Sequence, residues 1–259
     1  MFEFFIFIFT FIAIYSILGI SLNLVVGYTG LLSIAQAAFY GIGAYATAIL
    51  MTQYDINFFL AILSAIIISG TIAFFLGLVL SKFDGDYYAL VSMGFVVIVF
   101  SIFLNFDALT RGPKGIPGIS RPEIFGFSFT DNFSLMILSI LFLAIVYFIS
   151  NYLINSSFGR ALKAIREDEQ ALRIFGYNTH QYKLLIFTIS ACLAAVAGGL
   201  YATFITYIDP STFTVMESVF ILAVVIIGGL GNLKGSILGA IIWIGLPEIL
   251  RFIGLPSEV

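Results

Sequence analysis

Apolar residues in most of this chain do not alternate with polar ones. They run on for about twenty positions at a time, a length that suits a helix crossing a bilayer. From Phe4 to Tyr54 no residue carries a charge. Such runs are too long for barrel strands of about ten residues. In hydrocarbon a helix satisfies its own backbone hydrogen bonds, so helices are the expected elements. The pattern predicts an all-α, polytopic transmembrane bundle with spans near 4–26, 30–51, 58–80, 87–105, 132–151, 184–207, 216–230 and 236–250, about eight in all. The last two are short. Their join at Gly228-Gly229-Leu230-Gly231-Asn232 is expected inside the membrane rather than beyond it.

Composition agrees with lipid as the solvent. Of 259 residues, 61% are hydrophobic and 10% charged, and the mean hydropathy is +1.13. Soluble domains run nearer a quarter charged. The net charge of −3 does not suggest a nucleic-acid partner. Cys192 is the one cysteine, so an intrachain disulfide is excluded. The first apolar run lacks a basic leader and reads as a span rather than a signal peptide.

Basic residues near span ends mark the cytoplasmic side. Placing 152–183 inside puts Arg160, Lys163, Arg166, Arg173 and Lys183 there, joined by Lys82 and Lys234. Arg111, Lys114, Arg121 and Arg251 then fall outside. This arrangement leaves the N-terminus outside, and a re-entrant segment near Gly27–Gly30 would reverse that end.

Polar and glycine interruptions mark the stretches with candidate chemistry. "SLNLVVGYTGLLSIAQAAFYGIGAY", residues 21–45, sets Asn23, Tyr28, Thr29, Ser33 and Gln36 among glycines at 27, 30, 41 and 43. Uncharged polar groups at this depth face protein or water. Gly-interrupted spans line many transport paths, where freed backbone groups can meet a solute. Helix packing competes for the same residues: Ala37, Gly41 and Tyr45 recur every four positions. In "GGLGNLKGSILGA", Gly231, Gly235 and Gly239 form GxxxGxxxG, the signature of a tight helix crossing. "SACLAAVAGGLYA", residues 190–202, carries two stripes of small residues and reads as a helix surrounded by others. In "KFDGDYYAL", Asp84 and Asp86 flank Gly85 in a tight turn, with Asp86 placed to cap the following span. The loop 106–131 is rich in Gly and Pro and has either a role of its own or a spacer's place over the bundle.

Enzyme chemistry has little support. There is no GxxxxGK[ST], no HExxH, no GxSxG and no Cys/His metal cluster. His180 is the one histidine, and a solvated or capping role fits it. The acidic residues outside the charged loop, Glu217 among them, all sit near predicted span ends. A chain without a mid-span carboxylate argues against a proton-coupled secondary transporter.

The charged loop stands apart. Arg160, Lys163, Arg166, Glu167, Asp168, Glu169 and Arg173 place seven charges in fourteen positions of "FGRALKAIREDEQALRIFG". Ala161, Leu162, Ala164, Ile165, Ala171, Leu172 and Phe175 fall broadly on one helical face. Gly176 suits the position after the helix end, and Asn178 or Thr179 a new start. This predicts an amphipathic helix on the cytoplasmic side. It could lie on lipid or enter a groove of a soluble partner. Glu167, Asp168 and Glu169 would be repelled by anionic lipid, so mixed charge favours the protein groove.

"FGRALKAIREDEQALRIFGYN" resembles the coupling-loop segment of ABC importer permeases, with Ala171 and Gly176 matching the Glu-Ala-Ala-x-x-x-Gly pattern. The degenerate form, together with "LNLVVGYTGLLSIAQAAFYGIGAY", "GDYYALVSMGF", "LTRGPKGIPGI" and "IIGGLGNLKGSILGA", resembles the high-affinity branched-chain amino-acid permeases over residues 20 to about 250. The resemblance implies that 1–259 is a single permease domain with 152–183 as its coupling loop. It implies a multi-pass protein of a prokaryote's cytoplasmic membrane, with a sister permease, two cytoplasmic ATPase subunits and an extracytoplasmic solute-binding protein as partners. This chain would bind no cofactor, and ATP would be hydrolysed by the partner subunits. Asn23, Gly27, Tyr28, Gly30 and Gln36 would contribute to the solute path. Arg160, Lys163, Arg166, Glu167, Asp168, Glu169 and Gly176 would couple to the ATPase. Family members usually continue past a position like Val259 with another span, so truncation there is expected. The rival readings are an ABC permease for urea or an amide, an ion-coupled secondary transporter, and a membrane scaffold without transport.

Overall fold

The computed structural model describes residues 2–252 apart from 84, 125, 126 and 130. Asp84 and the chain end at Val259 therefore lie outside the described residues. The long helices are α1 (Phe2–Thr29), α2 (Gln36–Gln53), α3 (Phe58–Leu80), α4 (Asp86–Asn105), α6 (Asn132–Asn155), α8 (Thr179–Ile205), α9 (Val215–Gly228) and α10 (Leu233–Phe252). A single turn, α5 (Asp107–Thr110), follows α4, and the charged helix α7 (Ser157–Ile174) follows α6. The described residues also hold four two-residue strands: β1 (Ile116–Pro117), β2 (Glu123–Ile124), β3 (Phe127–Ser128) and β4 (Tyr207–Ile208).

The chain is an all-α multi-pass membrane protein. By length and apolar composition, six segments among the described residues can cross a bilayer: α1, α3, α4, α6, α8 and Pro210–Gly228. The expectation of about eight spans is not confirmed at that number, since α2 and α10 fall outside the set. For α2 the reason is its environment. Nearly all its residues are buried, including Gln36, Tyr40, Tyr45 and Thr47. A helix enclosed by protein can carry polar and small residues, because lipid never meets its sides.

Close approach between helices is built from small residues. A Cβ on Gly43 would strike the Ala195 backbone, and one on Gly198 would strike the Tyr40 carbonyl, so α2 and α8 cross with no side chain between them. The same holds for α9 and α10: Gly228 faces Gly235, and Gly239 faces the Val224 carbonyl. Gly231 is not part of that crossing. It stands in the turn before α10 with φ +80°.

Loop contacts sort the helix ends into two sets. At one end, Asn132 bridges Arg121 and Glu3, at 2.8 and 2.9 Å. Asn57 donates to the Glu123 carbonyl there, and β1 pairs antiparallel with β4. The loop 106–131 thus packs over this end, with Ile116 and Ile119 buried. At the other end, His180 Nδ1 donates to the Ser81 carbonyl at 2.6 Å, satisfying an orphan acceptor after α3. α7, the α9–α10 turn and the C-terminal end of α1 also meet there. α1 is continuous through Gly27 and ends only at Gly30, φ +74°. The N-terminus therefore lies at the end opposite α7, and no re-entrant break reverses it. Asp86 is the first residue of α4 rather than its cap, with Gly85 in the capping position.

Candidate functional site

α7 is two helices in one. Asp168 has φ −155° and ψ 98°, which breaks the helix, and its carboxylate accepts the Ala171 N–H at 2.9 Å. It is the N-cap of the second piece, the role for which Asp is favoured. Ser156 Oγ caps the first piece through Gly159 N–H. Gly159 itself lies against the Ile154 backbone, where a Cβ has no room. The kink rotates the second piece, and the apolar face changes with it. Ala161, Leu162 and Ile165 are buried as the helical period predicts, but Phe175 is 80% exposed and Ile174 86%.

The charges of α7 divide between inward and outward roles. Arg166 reaches α1, where Nη1 donates to the Gly27 carbonyl, and its aliphatic stem packs on Gly30. That carbonyl is in the last turn of α1, an end that favours a cation. Lys163 lies over the Tyr28 ring, 5.8 Å from its centroid. Glu169 is tied within the chain, 2.6 Å from both Lys183 and Arg173. Burial would raise its carboxyl, but hydrogen bonds from Lys183, Thr179 and Arg173 outweigh this and hold it below the usual carboxylate range. Lys183 is only 1% exposed and joins α8 to this pair. Arg160, Glu167 and Asp168 remain at the surface, Arg160 donating to Ser157 Oγ. Gly176, φ +87°, turns the chain after α7, and Asn178 caps α8. The exposed tip is therefore Ile174, Phe175 and Tyr177, flanked by charge. Sequence periodicity missed this tip because it assumed one unbroken helix.

Asn23, Ser21 and Gln36 of the 21–45 segment enter two separate hydrogen-bond networks. Asn23 spends both amide hydrogens and one acceptor site on the α9–α10 turn. Nδ2 donates to Ser236 Oγ at 2.7 Å and the Asn232 carbonyl at 3.0 Å, while Oδ1 accepts Gly231 N–H at 2.8 Å. Gly27 stacks under this clamp, and a Cβ there would collide with Asn23 Oδ1 and Gly231 N. Gln36 donates to Ser21 Oγ, and Ser190 Oγ donates to the Ser21 carbonyl at 2.7 Å, joining α1, α2 and α8. Asn23, Tyr28 and Gln36 are all buried, and only Gly30 is exposed, beside Arg166. Arg166, Gly27, Asn23 and Gly231 form one continuous connection from α7 to the α9–α10 turn.

One group has a different place from the one its sequence position suggests. After β4 the chain turns back into the bundle, and Phe213, 1% exposed, packs on the rings of Tyr40, Tyr45 and Tyr201. α9 therefore begins within the bundle. The Tyr15 hydroxyl donates to Glu217 Oε1 at 2.6 Å. Tyr15 is close to the midpoint of the 28-residue α1. Glu217 does sit near the start of its own helix, as its sequence position predicts, but that start lies beside the middle of α1, so the reading that no carboxylate lies at mid-depth is corrected here. Sequence hydropathy missed it because 208–215 reads as an outer loop between spans, and only the fold turns that loop inward.

Similarity to known proteins points the same way. Residues 4–259 match the family described as branched-chain amino acid transport system / permease component. The chain is 37% identical to the high-affinity branched-chain amino acid transport system permease protein LivM of Salmonella typhimurium, over 92% of this chain and 61% of that protein. It is 26% identical to the probable branched-chain amino acid transport permease protein LivM of Methanocaldococcus jannaschii, over 95% of this chain and 83% of that protein. It is 28% identical to the permease protein LivH of Salmonella typhimurium, over 94% and 83%. The chain thus spans about three fifths of the length of the LivM relative from Salmonella. No solved structure matches. A bundle of apolar helices with a kinked charged helix at one end, matched from residue 4 to residue 259, places this chain in the permease-component family of branched-chain amino acid transport systems.

Proposed function

We propose that this chain is a membrane permease subunit of an ATP-driven ABC importer, carrying leucine, isoleucine and valine inward across a prokaryotic cytoplasmic membrane. The observation that carries this reading beyond the family is α7. Its tip presents Ile174, Phe175 and Tyr177 ringed by charge, which suits a protein groove better than a lipid surface. Its body is tied by Arg166 to α1 and the α9–α10 turn. A cytoplasmic ATPase subunit holding the tip would move these helix ends with it. ATP would bind and be hydrolysed there, in a pair of partner subunits, while this chain holds no nucleotide or metal. A sister permease and an extracytoplasmic solute-binding protein complete the assembly. Alternating access then follows if ATPase closure makes different contacts with α7 in the two states.

Phe175 tests the reading, since its side chain supports nothing within the chain. Phe175→Ser should leave the permease expressed and folded, but reduce recovery of ATPase subunits on co-purification. ATP-dependent leucine uptake should fall about tenfold or more, as expected for an aromatic anchor. An ion-coupled transporter remains the rival that an observation favours, because Glu217 lies at mid-depth, where relay carboxylates are found. Leucine uptake by the purified chain under an ion gradient, without ATP or partners, would establish that rival and end the ABC reading.

A further inference from the structure

Glu217 is an acid with a donor but no counter-ion. Tyr15 occupies Oε1, and among the described residues no cation pairs with the carboxylate. Its surroundings are aromatic: Tyr15 stacks on Phe11, and Phe11 packs edge-on to Tyr201. Tyr201 in turn meets Tyr40, ring centroids 5.4 Å apart. Tyr40 is fully buried, and its hydroxyl has no hydrogen-bond partner. Glu217, Tyr15 and Tyr201 are each only partly covered by this chain. An ionisable side chain at this depth is costly against lipid and faces a protein interior or a water-filled path instead. The face formed by α1, α8 and the start of α9 therefore opens toward such a path or toward another subunit.

We propose that Glu217 is the cation-binding group of a solute site at mid-depth, and that it receives the primary ammonium of an amino acid in transit. The pairing follows from chemistry. A carboxylate with one unpaired oxygen accepts an ammonium N–H in a short charge-assisted hydrogen bond. The rings of Tyr15 and Tyr201 offer faces that attract the same cation. The Tyr40 hydroxyl, which has no partner among the described residues, lies behind them in the same aromatic cluster. Asn23 and Gln36, by contrast, have spent their hydrogen bonds on the bundle itself. This inference rests on the chain being an amino-acid permease, and it locates that solute's path on the α1–α8–α9 face.

The test uses the complete importer in proteoliposomes. ATP-dependent leucine uptake by the wild-type complex comes first, and its absence would count against the proposed function itself. Glu217→Gln keeps the acceptor for Tyr15 and removes only the charge. It should raise the KM for leucine about tenfold or more, the scale of losing one charge-assisted bond. Assembly with the partner subunits should be unchanged. Tyr15→Phe should leave the KM within about threefold. A Glu217→Gln complex with the wild-type KM overturns the proposal, and so does an equal rise of KM in both variants, the mark of a merely structural pair. If the Gln variant does not assemble, labelling of the wild type decides. A hydrophobic carbodiimide should modify Glu217, read by peptide mass spectrometry, and leucine should slow the modification. No modification, or modification that leucine does not slow, overturns it.

Discussion

Glu169 looks in the sequence like one of three equivalent surface acids, and the fold makes it the odd one. It binds Lys183, which is 1% exposed, and Arg173 beside it. Removing its charge takes one charge-assisted bond from the buried Lys183 ammonium, a change that costs about 1.5–3 kcal/mol. Glu169→Gln should therefore lower the unfolding temperature of the purified chain, whereas Glu167→Gln, at the surface, should leave it within measurement error. The pH dependence has a definite sign. A carboxyl held below its usual range in the folded chain stabilises the fold at pH values above its unfolded pKa, about 4.3. That contribution fades as the pH falls through the lower folded value. Thermal unfolding in detergent from pH 7 to about pH 3 should show this acid-side loss in the wild type and a flatter profile in Glu169→Gln.

Among the helices, function and packing share the same glycines but at different positions. Gly235 and Gly239 allow α10 to touch α9, while Gly231 permits the turn that Asn23 clamps. Gly235→Leu would push a side chain into the Gly228 carbonyl and force the two helices apart. Overpacking of this kind costs about 1–3 kcal/mol. The expected result is a lower unfolding midpoint and reduced uptake, with α7 still able to recover ATPase subunits. Equal stability of the variant would show that α9 and α10 separate freely. α7 carries the complementary lesson. Its existence, its N-terminal burial and its Gly176 terminus follow from residue order. The break at Asp168 does not, because Asp also occurs inside helices; the fold shows the break together with the Asp168 cap and the pairing of Glu169 with α8.

For the molecule as a whole, the arrangement of ends gives the strongest expectation. Glu3 lies with the 106–131 loop and α7 at the opposite end. Single cysteines at Glu3 and Gln170, in a Cys192→Ser background, should react with a membrane-impermeant maleimide from opposite sides of the membrane. The basic residues place Gln170 inside and Glu3 outside. Reaction of both from one side would contradict the fold. The Phe175 and Glu217 variants complement each other within this frame. One should uncouple the chain from ATP, and the other should weaken its hold on the solute.

Residue order alone determined the solvent, the helical class, most helix positions and the presence of a charged amphipathic helix. These follow from local rules: long apolar runs need lipid, and lipid demands helices. Tertiary structure decided the rest, because it depends on neighbours that sequence distance conceals. Asn23 and Gln36 read as pathway groups by their polarity, yet partners more than 150 residues away, Gly231, Ser236 and Ser190, take up their hydrogen bonds. Glu217 reads as a span-end acid by position, yet the inward turn of 208–215 carries it to the middle of α1. A buried polar group is structural when the fold gives it partners and available to a ligand when it does not. That distinction belongs to three-dimensional contacts, not to residue type.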